Sequence, residues 1–242
     1  MKTAAAATLF VMAIALPTFG QMLGAPVGEP TPSKAGIDAA QQHLNPITVS
    51  QFEDASFWGA YMPTDQGRIE LRRLSGVPGD KEERDADRLK VEKDLGIPAG
   101  SSVLGVKVDF IKRGKNWFTV YPSRPLAIEG ISKTLSVWVV GRNFNHTLKL
   151  MLADYFGNKM EITVGKLNFL GWKRLTVAIP PAIKQADFHY TAKNGVQFLG
   201  FRVDCDLDES FGRYYMYFDD LSAVSDLFLE KSRDQDDMQD IW

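Results

Sequence analysis

The sequence has a single cysteine, Cys205, and only three histidines. One cysteine excludes a disulfide within the chain, and it excludes zinc sites built from cysteine pairs. The histidines, His43, His146 and His189, stand far apart, and none lies in an H-E-x-x-H pattern. A nucleophile elbow, a phosphate-binding glycine loop and a dinucleotide fingerprint are missing as well. We therefore expect a protein that is not an enzyme and has no small-molecule substrate.

The sequence also lacks an excess of basic residues and a long apolar run. Its 28 Lys and Arg residues stand against 30 Asp and Glu residues, for a formal net charge of −2. Nucleic-acid binding is driven by a basic surface, so this balance argues against nucleic acid as a partner. The longest apolar run, Ala4–Leu16, covers thirteen residues, whereas a membrane-spanning helix needs about 20. We expect no membrane span.

The N-terminal residues are typical of an export signal. Lys2 gives a positive start, the apolar run follows, and Pro17–Gly20 resembles a cleavage region. We predict a signal peptide over residues 1–20, removed on export, and then a flexible leader rich in Gly and Pro over residues 21–46. The alternative is a buried N-terminal helix, which Pro17 and the segment behind it would leave unsupported.

The rest of the chain is dominated by short apolar runs. Between Thr134 and Pro181, four runs rich in Val, Leu and Ile follow one another at intervals of about ten residues. Phe156–Lys159 separates two of them and suits a tight turn, because its Gly and Asn tolerate positive φ. Similar runs elsewhere bring the total to nine or ten strands, enough for two facing sheets. The pattern predicts an all-β chain with one jelly-roll type β-sandwich over residues 47–224, similar to carbohydrate-binding modules and galactose-binding-like domains.

Alternation along the strands predicts which side chains face the core. In the run that begins at Trp172, Leu175 and Val177 lie on the side predicted to be buried. We predict a core that includes Trp138, Leu150, Trp172, Leu175, Val177, Phe201 and Val203. Cys205 continues the spacing of Phe201 and Val203, so we expect a buried thiol that acts as a small apolar residue. The alternative for the tryptophans is an exposed aromatic strip that stacks on sugars.

One strongly charged segment interrupts the strand pattern. Asp80–Asp94 contains twelve charged residues of both signs among fifteen, and only Leu89 and Val91 offer apolar anchors. Such a segment is usually an exposed helix or an ion-rich loop, so we predict a solvated insert at residues 80–94. The alternative is a contact surface for a protein partner.

A second charged segment, residues 225–242, forms an acidic tail. It carries Asp226, Glu230, Asp234, Asp236, Asp237 and Asp240 against Lys231 and Arg233. Ile241 and Trp242 follow at the end of the sequence. The tail either stays solvated or docks through its aromatic residue on a partner or on the chain's own surface.

The carboxylates of Asp204, Asp206 and Asp208 have the spacing that opens an EF-hand calcium loop. The glycine required next is replaced by Glu209, and the closing glutamate is replaced by Tyr215. The pattern therefore excludes an EF-hand, and we expect these three aspartates on an outward strand end.

Another set of carboxylates lies on the first and last predicted strands. Glu53 belongs to the first, and Asp219 and Asp220 belong to the last, so the three meet if the terminal strands pair. The arrangement resembles jelly-roll carbohydrate-binding modules, in which an early Glu and a late Asp hold a structural calcium ion. Calcium prefers such oxygen ligands. We therefore consider a structural calcium site at Glu53, Asp219 and Asp220, with turns or salt bridges as the alternative and no other cofactor expected.

Five segments, taken in order, resemble the outer-layer (sheath) protein of spirochaete periplasmic flagella, the FlaA family. They are Val103–Phe110 (VLGVKVDF), Trp117–Pro122 (WFTVYP), Ser136–Phe144 (SVWVVGRNF), Leu167–Leu175 (LNFLGWKRL) and Phe198–Val203 (FLGFRV). The V-x-G-R-N-F and L-x-F-x-G-W-[KR]-x-L patterns within them are the most specific. The charged insert and the acidic tail match the family less clearly.

The resemblance implies a structural protein that is exported to the periplasm and associates with the flagellin core and other flagellar sheath proteins. It implies a role in the stiffness or curvature of the filament, and hence in motility. The main alternative is a secreted carbohydrate-binding module or a glycan-processing protein, with exposed aromatic residues on a concave sheet or a carboxylate pair in a cleft. A sheath protein, in contrast, is expected to bury its tryptophans and to make its contacts through loops, the insert and the tail.

Overall fold

The computed structural model describes residues 44–98, 100–187 and 195–227. The predicted signal peptide, most of the leader and the acidic residues after position 227 lie outside this part of the chain, as do His43 and His189. Among the described residues, no helix is long and apolar enough to cross a membrane.

The described residues form twelve strands and three short helical segments. The strands are β1 (Leu44–Ser50), β2 (Trp58–Tyr61), β3 (Gly67–Ser75), β4 (Ser102–Phe110), β5 (Trp117–Pro122), β6 (Leu126–Glu129), β7 (Ile131–Arg142), β8 (Thr147–Ala153), β9 (Lys159–Lys166), β10 (Leu170–Ala178), β11 (Gly195–Asp204) and β12 (Arg213–Asp226). The helical segments are a 3₁₀ turn (Ala55–Phe57), α1 (Lys81–Arg84) and α2 (Ala86–Asp94). The strands of the prediction are present, and the charged insert forms both α-helices.

The strands form two six-stranded antiparallel sheets. Sheet A has the order β10-β7-β12-β4-β3, and β1 also pairs with β12. Sheet B has the order β2-β5-β11-β8-β9, and β6 also pairs with β11. The terminal strands pair as the calcium hypothesis required, with Thr48 opposite Ser222. The predicted all-β sandwich is confirmed.

Aromatic side chains join the two sheets in the core. Phe201 of β11 stacks on Phe218 of β12, with ring centroids 4.4 Å apart. Phe52 and Trp58 extend this cluster between the sheets. These rings are buried because strands of both sheets turn alternate apolar residues inward. The core is therefore a single layer between two pleated faces.

The residues predicted for the core divide into three groups. Leu150, Phe201 and Val203 are buried between the sheets. Leu175 and Val177 pack against the same core but remain partly exposed, because β10 forms an edge of sheet A. The remaining two are the tryptophans, which the structure places elsewhere.

Trp138 is buried as predicted, but it faces away from the space between the sheets, as Trp172 does. The assignment of Trp172 to the core is wrong. Val137 and Val139, on either side of Trp138, are the β7 residues that point into the core. Trp138 is only 1% exposed, because the helices of the insert cover it. Trp172 lies on the same outer face and is half-buried. The insert packs over the outward-facing side chain of Trp138 and buries it. The alternation of residues along β7 does not predict such an added layer.

A bulge in β12 shapes the outer face of sheet A. The pairing of β12 with β7 shifts register between Asp219 and Ser222. Asp220 lies in the left-handed region, with φ of 52°, which Asp adopts more readily than most residues. The bulge lets two consecutive carboxylates, Asp219 and Asp220, reach the same lysine of the insert.

Candidate interaction surfaces

The charged insert lies on the outer face of sheet A with part of its charge turned inward. Lys81, Asp85, Arg88 and Glu92 are each less than 10% exposed, at 7%, 4%, 4% and 6%. Their spacing of four, three and four residues places them on one helical face. The expectation of a solvated insert is therefore wrong for this face. Charged residues that recur at helical intervals were the sequence signal for this buried face.

The carboxylates of the β12 bulge hold the first half of the insert. Lys81 Nζ lies 3.2 Å from Asp219 Oδ2 and 3.7 Å from Asp220 Oδ2. Arg88 forms a second ion pair with Asp220. Both aspartates are at most 1% exposed, so these pairs form in a medium of low polarity, where an unpaired charge is costly.

Asp85, where α1 gives way to α2, connects the insert with β7 and β10. The indole Nε1 of Trp138 donates to Asp85 Oδ2 at 3.1 Å. Arg174 of β10 donates to the other oxygen of Asp85, and Arg88 lies 3.5 Å from this carboxylate. The contact explains why Trp138 is buried on an outer face: its polar atom has a partner there.

Glu92 fixes the far end of α2. Its carboxylate accepts a hydrogen bond from the hydroxyl of Thr48 on β1 and lies 3.6 Å from Arg88. Burial raises the pKa of Glu92, and the nearby Arg88 guanidinium opposes that rise. The insert is thus tied to four strands of sheet A.

We call these seven charged residues the insert cluster. They are Lys81, Asp85, Arg88, Glu92, Arg174, Asp219 and Asp220. Four carboxylates face three cations, so the cluster has one negative charge in excess. Burial, reinforced by the Asp220 carboxylate, raises the pKa of Asp219 to about 6, although Lys81 lowers it. A proton on Asp219 would relieve the excess charge.

The hypothetical calcium ligands do not form one site. Asp219 and Asp220 contact the ammonium and guanidinium groups of the insert cluster. Glu53 instead accepts hydrogen bonds from the backbone N–H groups of Ser101 at 2.6 Å and Ser102 at 2.9 Å. Across the described ranges, no three acidic, histidine or cysteine side chains are arranged to hold a metal ion. The residues present do not fit a calcium site, because Lys81 and Arg88 already pair with the two aspartates and Glu53 is engaged elsewhere.

The outer face of sheet B presents a row of aromatic side chains. Tyr61 is 51% exposed and Tyr121 is 39% exposed. Trp117 is half-buried, with its ring 5.8 Å from Tyr61 and the guanidinium of Arg202 4.7 Å above it. A Cβ on Gly59 would lie 2.8 Å from the Tyr121 ring, so glycine is needed for that ring to lie across β2. We call Tyr61, Trp117 and Tyr121 the aromatic row.

A network of four charges borders the aromatic row on β8, β9 and β11. Asp204 pairs with Lys149 at 2.6 Å and with Arg202 at 2.8 Å. Glu161 pairs with the same two cations at 3.4 Å and 3.3 Å. The two cations hold the pKa of Asp204 below its ordinary value. The two cations and two carboxylates therefore compensate one another.

The histidine and cysteine within the described residues are structural. His146 is fully buried against Phe144 and Tyr214, and its Nδ1 accepts the N–H of Asp206 at 3.1 Å. Burial lowers the pKa of His146 to about 4. Burial raises the pKa of the Cys205 thiol to about 12, which makes a reactive thiolate unfavourable at neutral pH.

The aspartates with EF-hand spacing serve separate local roles. Asp204 belongs to the charge network of sheet B. Asp206 Oδ1 accepts the backbone N–H of Asp208 at 3.0 Å and so closes a turn. The structure therefore does not bring the three carboxylates together around one point.

Comparison with known proteins identifies the family. The sequence model described as "Flagellar filament outer layer protein Flaa" matches residues 27–233. A putative flagellar filament outer layer-like protein of Brachyspira hyodysenteriae is 37% identical over 221 residues, which cover 90% of this chain and 97% of that protein. A flagellar filament outer layer protein of Spirochaeta aurantia is 24% identical over 189 residues, which cover 63% of this chain and 56% of that protein.

Similar solved structures are β-sandwich carbohydrate-binding modules. A family 11 module of Clostridium thermocellum is 11% identical, with a TM-score of 0.42, over 75% of this chain and 96% of that one. A xylan-binding domain from CBM 22 is 14% identical, with a TM-score of 0.37, over 79% and 99% of the two chains. Likeness at this level concerns the fold and says nothing about a ligand. The chain belongs to the FlaA family of flagellar filament outer layer proteins.

Proposed function

We propose that this protein is a structural subunit of the sheath around periplasmic flagellar filaments. The family match over residues 27–233 carries the proposal, because it includes all the described strands. The subunit is exported to the periplasm with removal of residues 1–20, and it contacts the flagellin core and other sheath proteins. It acts mechanically and has no catalytic role.

The fold is suited to a structural subunit of a filament. Two antiparallel sheets share one core, and the insert is fixed to sheet A by buried ion pairs. Truncating one partner of such a pair is costly, so the insert resists displacement. Lateral contacts between rigid subunits of this kind set the stiffness and curvature of the filament and thereby support motility.

Quantitative mass spectrometry of periplasmic flagella tests the sheath role. Filaments stripped from cells are compared with the soluble periplasmic fraction, and an unrelated soluble periplasmic protein serves as the control for carry-over. We expect the protein in the filament fraction at a fixed ratio to flagellin, and altered filament curvature in a deletion strain. Recovery in the soluble fraction alone under gentle extraction contradicts the proposal.

The aromatic row favours a second function, glycan binding on sheet B. Exposed aromatic rings offer flat apolar faces, and Tyr61 and Tyr121 are accessible. Oligosaccharides of glucose, galactose and N-acetylglucosamine are the probes for calorimetric titration. This function predicts binding that a Tyr61→Ala/Tyr121→Ala variant loses and that Phe156→Ala, an exposed aromatic elsewhere, retains. No binding by the unaltered protein eliminates it.

A further inference from the structure

The insert covers only part of the outer face of sheet A. Beyond it, β3, β4 and β12 leave an open groove of about 340 Å³. Gly105 forms its floor, because a Cβ there would lie 2.9 Å from Leu74 and 3.2 Å from Tyr217. A second depression of about 410 Å³ adjoins it around Arg142 and shares the side chains of Tyr215 and Tyr217.

The groove is basic, although the whole chain is acidic. The groove and the adjoining depression, which we treat together as the groove, are lined by four cations, Arg72, Lys107, Arg142 and Arg213, but by one carboxylate, Glu70. Lys107 pairs with Glu70 at 3.6 Å, and Asp109 pairs with Lys107 and Arg213. Arg72 and Arg142 are exposed and have no ion-pair partner among the described residues. Two positive charges are therefore available to an incoming acidic group.

The groove also has the composition of a protein interface. Tyrosine and arginine are enriched at interfaces, and both types line this groove. Tyr215 is 37% exposed and Leu74 is 40% exposed, so apolar surface is accessible beside the charges. The guanidinium of Arg142 lies 5.5 Å from the Tyr217 ring, which orients its charge over the groove.

The chain carries a segment of complementary chemistry. Residues 228–242 (FLEKSRDQDDMQDIW) contain five carboxylates and two cations, for a formal charge of −3. Four of the carboxylates fall within residues 234–240, where there is no cation. Phe228, Leu229, Met238, Ile241 and Trp242 supply apolar side chains on both sides of them. An acidic and aromatic segment is what a basic, tyrosine-lined groove would bind.

The placement of the groove favours a second copy as the source of this segment. Tyr217 and Asp226 are nine residues apart on β12, or about 30 Å at the rise of a strand. The insert stands on the same face between them, over Asp219 and Asp220. A direct path from the end of β12 to the groove of the same chain is therefore obstructed.

We propose that the acidic segment of one copy, residues 228–242, docks into the groove formed by Arg72, Gly105, Arg142, Tyr215 and Tyr217 of the next copy. The donor segment and the acceptor groove belong to opposite ends of β12. Such a contact is heterologous: it leaves one groove and one segment unused in every pair, so it extends into an open array when the rotation between copies does not close a ring. The inference rests on the proposed function and gives the sheath a lateral contact.

Complementation between two defective variants tests the contact. The groove variant is Arg72→Glu/Arg142→Glu, and the segment variant replaces the aspartates at positions 234, 236, 237 and 240 with Asn. Lys159→Glu, at an exposed lysine of sheet B, is the control for charge reversal away from the groove. Analytical ultracentrifugation of the purified full chains measures self-association, and circular dichroism verifies that each variant is folded.

We expect the unaltered protein and Lys159→Glu to self-associate, with an affinity that falls as salt rises. Each of the two variants should associate at least about tenfold more weakly. An equimolar mixture should recover association as pairs that do not extend, because only one intact groove and one intact segment remain.

Three results contradict the proposal. They are a wild-type chain that is monomeric at every concentration, variants that associate like the wild type, and a mixture no better than its components. The last result points to docking within one chain. If one of these results is obtained and both variants are still recovered normally in filaments, the groove contact is rejected and the sheath role is retained. Absence of the unaltered protein from filaments rejects the sheath role instead.

Discussion

The ammonium group of Lys81 lies between two buried carboxylates, where a metal ion would otherwise be a reasonable expectation. It contacts Asp219 and Asp220, and Arg88 adds a guanidinium to the second carboxylate. The four groups have almost no access to water, so each depends on the others for compensation. At the scale of single residues, the chain supplies its own cations.

Replacement of Lys81 tests this dependence. Lys81→Met leaves Asp219 buried without its closest cation, and we expect a loss of about 3 kcal/mol in the free energy of unfolding. Urea denaturation followed by tryptophan fluorescence measures it. Lys90→Met, on the exposed side of α2, is the control and should change stability by less than about 0.5 kcal/mol. Equal stability of the two variants would show that Lys81 is dispensable.

Treatment with a chelator tests whether Lys81 and Arg88, rather than a bound metal ion, compensate the charge of the two aspartates. We expect EDTA to leave the melting temperature unchanged, because the Asp219 and Asp220 carboxylates pair with Lys81 and Arg88. Differential scanning calorimetry with EDTA and with added calcium provides the comparison. A fall in melting temperature with EDTA that calcium restores would reinstate the calcium hypothesis.

Two buried groups give opposite pH dependences. The pKa of Asp219 is raised from 3.8 to about 6, so its contribution is fully present below pH 3.8 and is lost as pH rises through 6. The pKa of His146 is lowered from 6.5 to about 4, so its contribution is present above pH 6.5 and is lost as pH falls through 4. Between pH 6 and pH 4 each changes stability by about 1.4 kcal/mol per pH unit, with opposite sign.

Removal of Asp219 should therefore expose the effect of His146. We expect the free energy of unfolding of Asp219→Asn to fall more steeply from pH 6 to pH 4 than that of the wild type. The slope difference approaches about 1.4 kcal/mol per pH unit. Urea denaturation at half-unit intervals of pH measures both slopes, and parallel curves would contradict the raised pKa of Asp219.

Among the secondary-structure elements, the helices of the insert form a layer that polar contacts hold on sheet A. Its inward face places charges where an amphipathic helix places apolar residues, at intervals of four, three and four. Leu89 is half-buried and Val91 is 41% exposed, so apolar burial alone holds it weakly. The ion pairs to β10 and β12 and the hydrogen bond from Trp138 of β7 therefore determine where it lies.

Loss of Asp85 should release the insert without unfolding the sandwich. Trp138 and Arg174 both donate hydrogen bonds to the Asp85 carboxylate. Replacement of Asp85 by Ala removes this acceptor from both side chains. We expect Asp85→Ala to speed tryptic cleavage within residues 81–93 by about tenfold, while the β-sheet circular dichroism signal remains. Asp87→Ala, at an exposed position of the same helix, is the control. Equal cleavage rates would show that other contacts hold the insert.

At the scale of the whole molecule, stability comes from one core shared by two sheets. The stack of Phe201 on Phe218 crosses from sheet B to sheet A. Neither sheet can bury its inner face without the other, so we expect cooperative unfolding of the described domain. The open outer faces are then free for contacts between subunits.

Truncation of Phe201 tests the shared core. Phe201→Ala leaves a cavity between the sheets, and we expect a loss of about 3–5 kcal/mol and poor accumulation of the protein. Tyr121→Ala, on the exposed face of sheet B, should cost less than about 1 kcal/mol. Both values come from denaturant unfolding, and a small effect at Phe201 would mean that the sheets are stabilised independently.

The all-β class, the strand runs and the family could be predicted from the sequence alone. Apolar alternation is local, so residues such as Leu150, Phe201 and Val203 could be assigned to a core without coordinates. The five family segments are local as well. The pairing of the terminal strands, in contrast, was only a condition of the calcium hypothesis, and neither it nor the contacts of their carboxylates could be read from local pattern.

What lies on the outer faces, in contrast, depends on tertiary contacts that the sequence pattern does not show. Trp138 and Asp85 are 53 positions apart in sequence and meet because the insert folds back over sheet A. The alternation of polar and apolar residues along a strand does not show whether another segment packs against its polar side. The buried insert cluster, the aromatic row and the basic groove all arise from such long-range placement, because each combines side chains from several strands or helices.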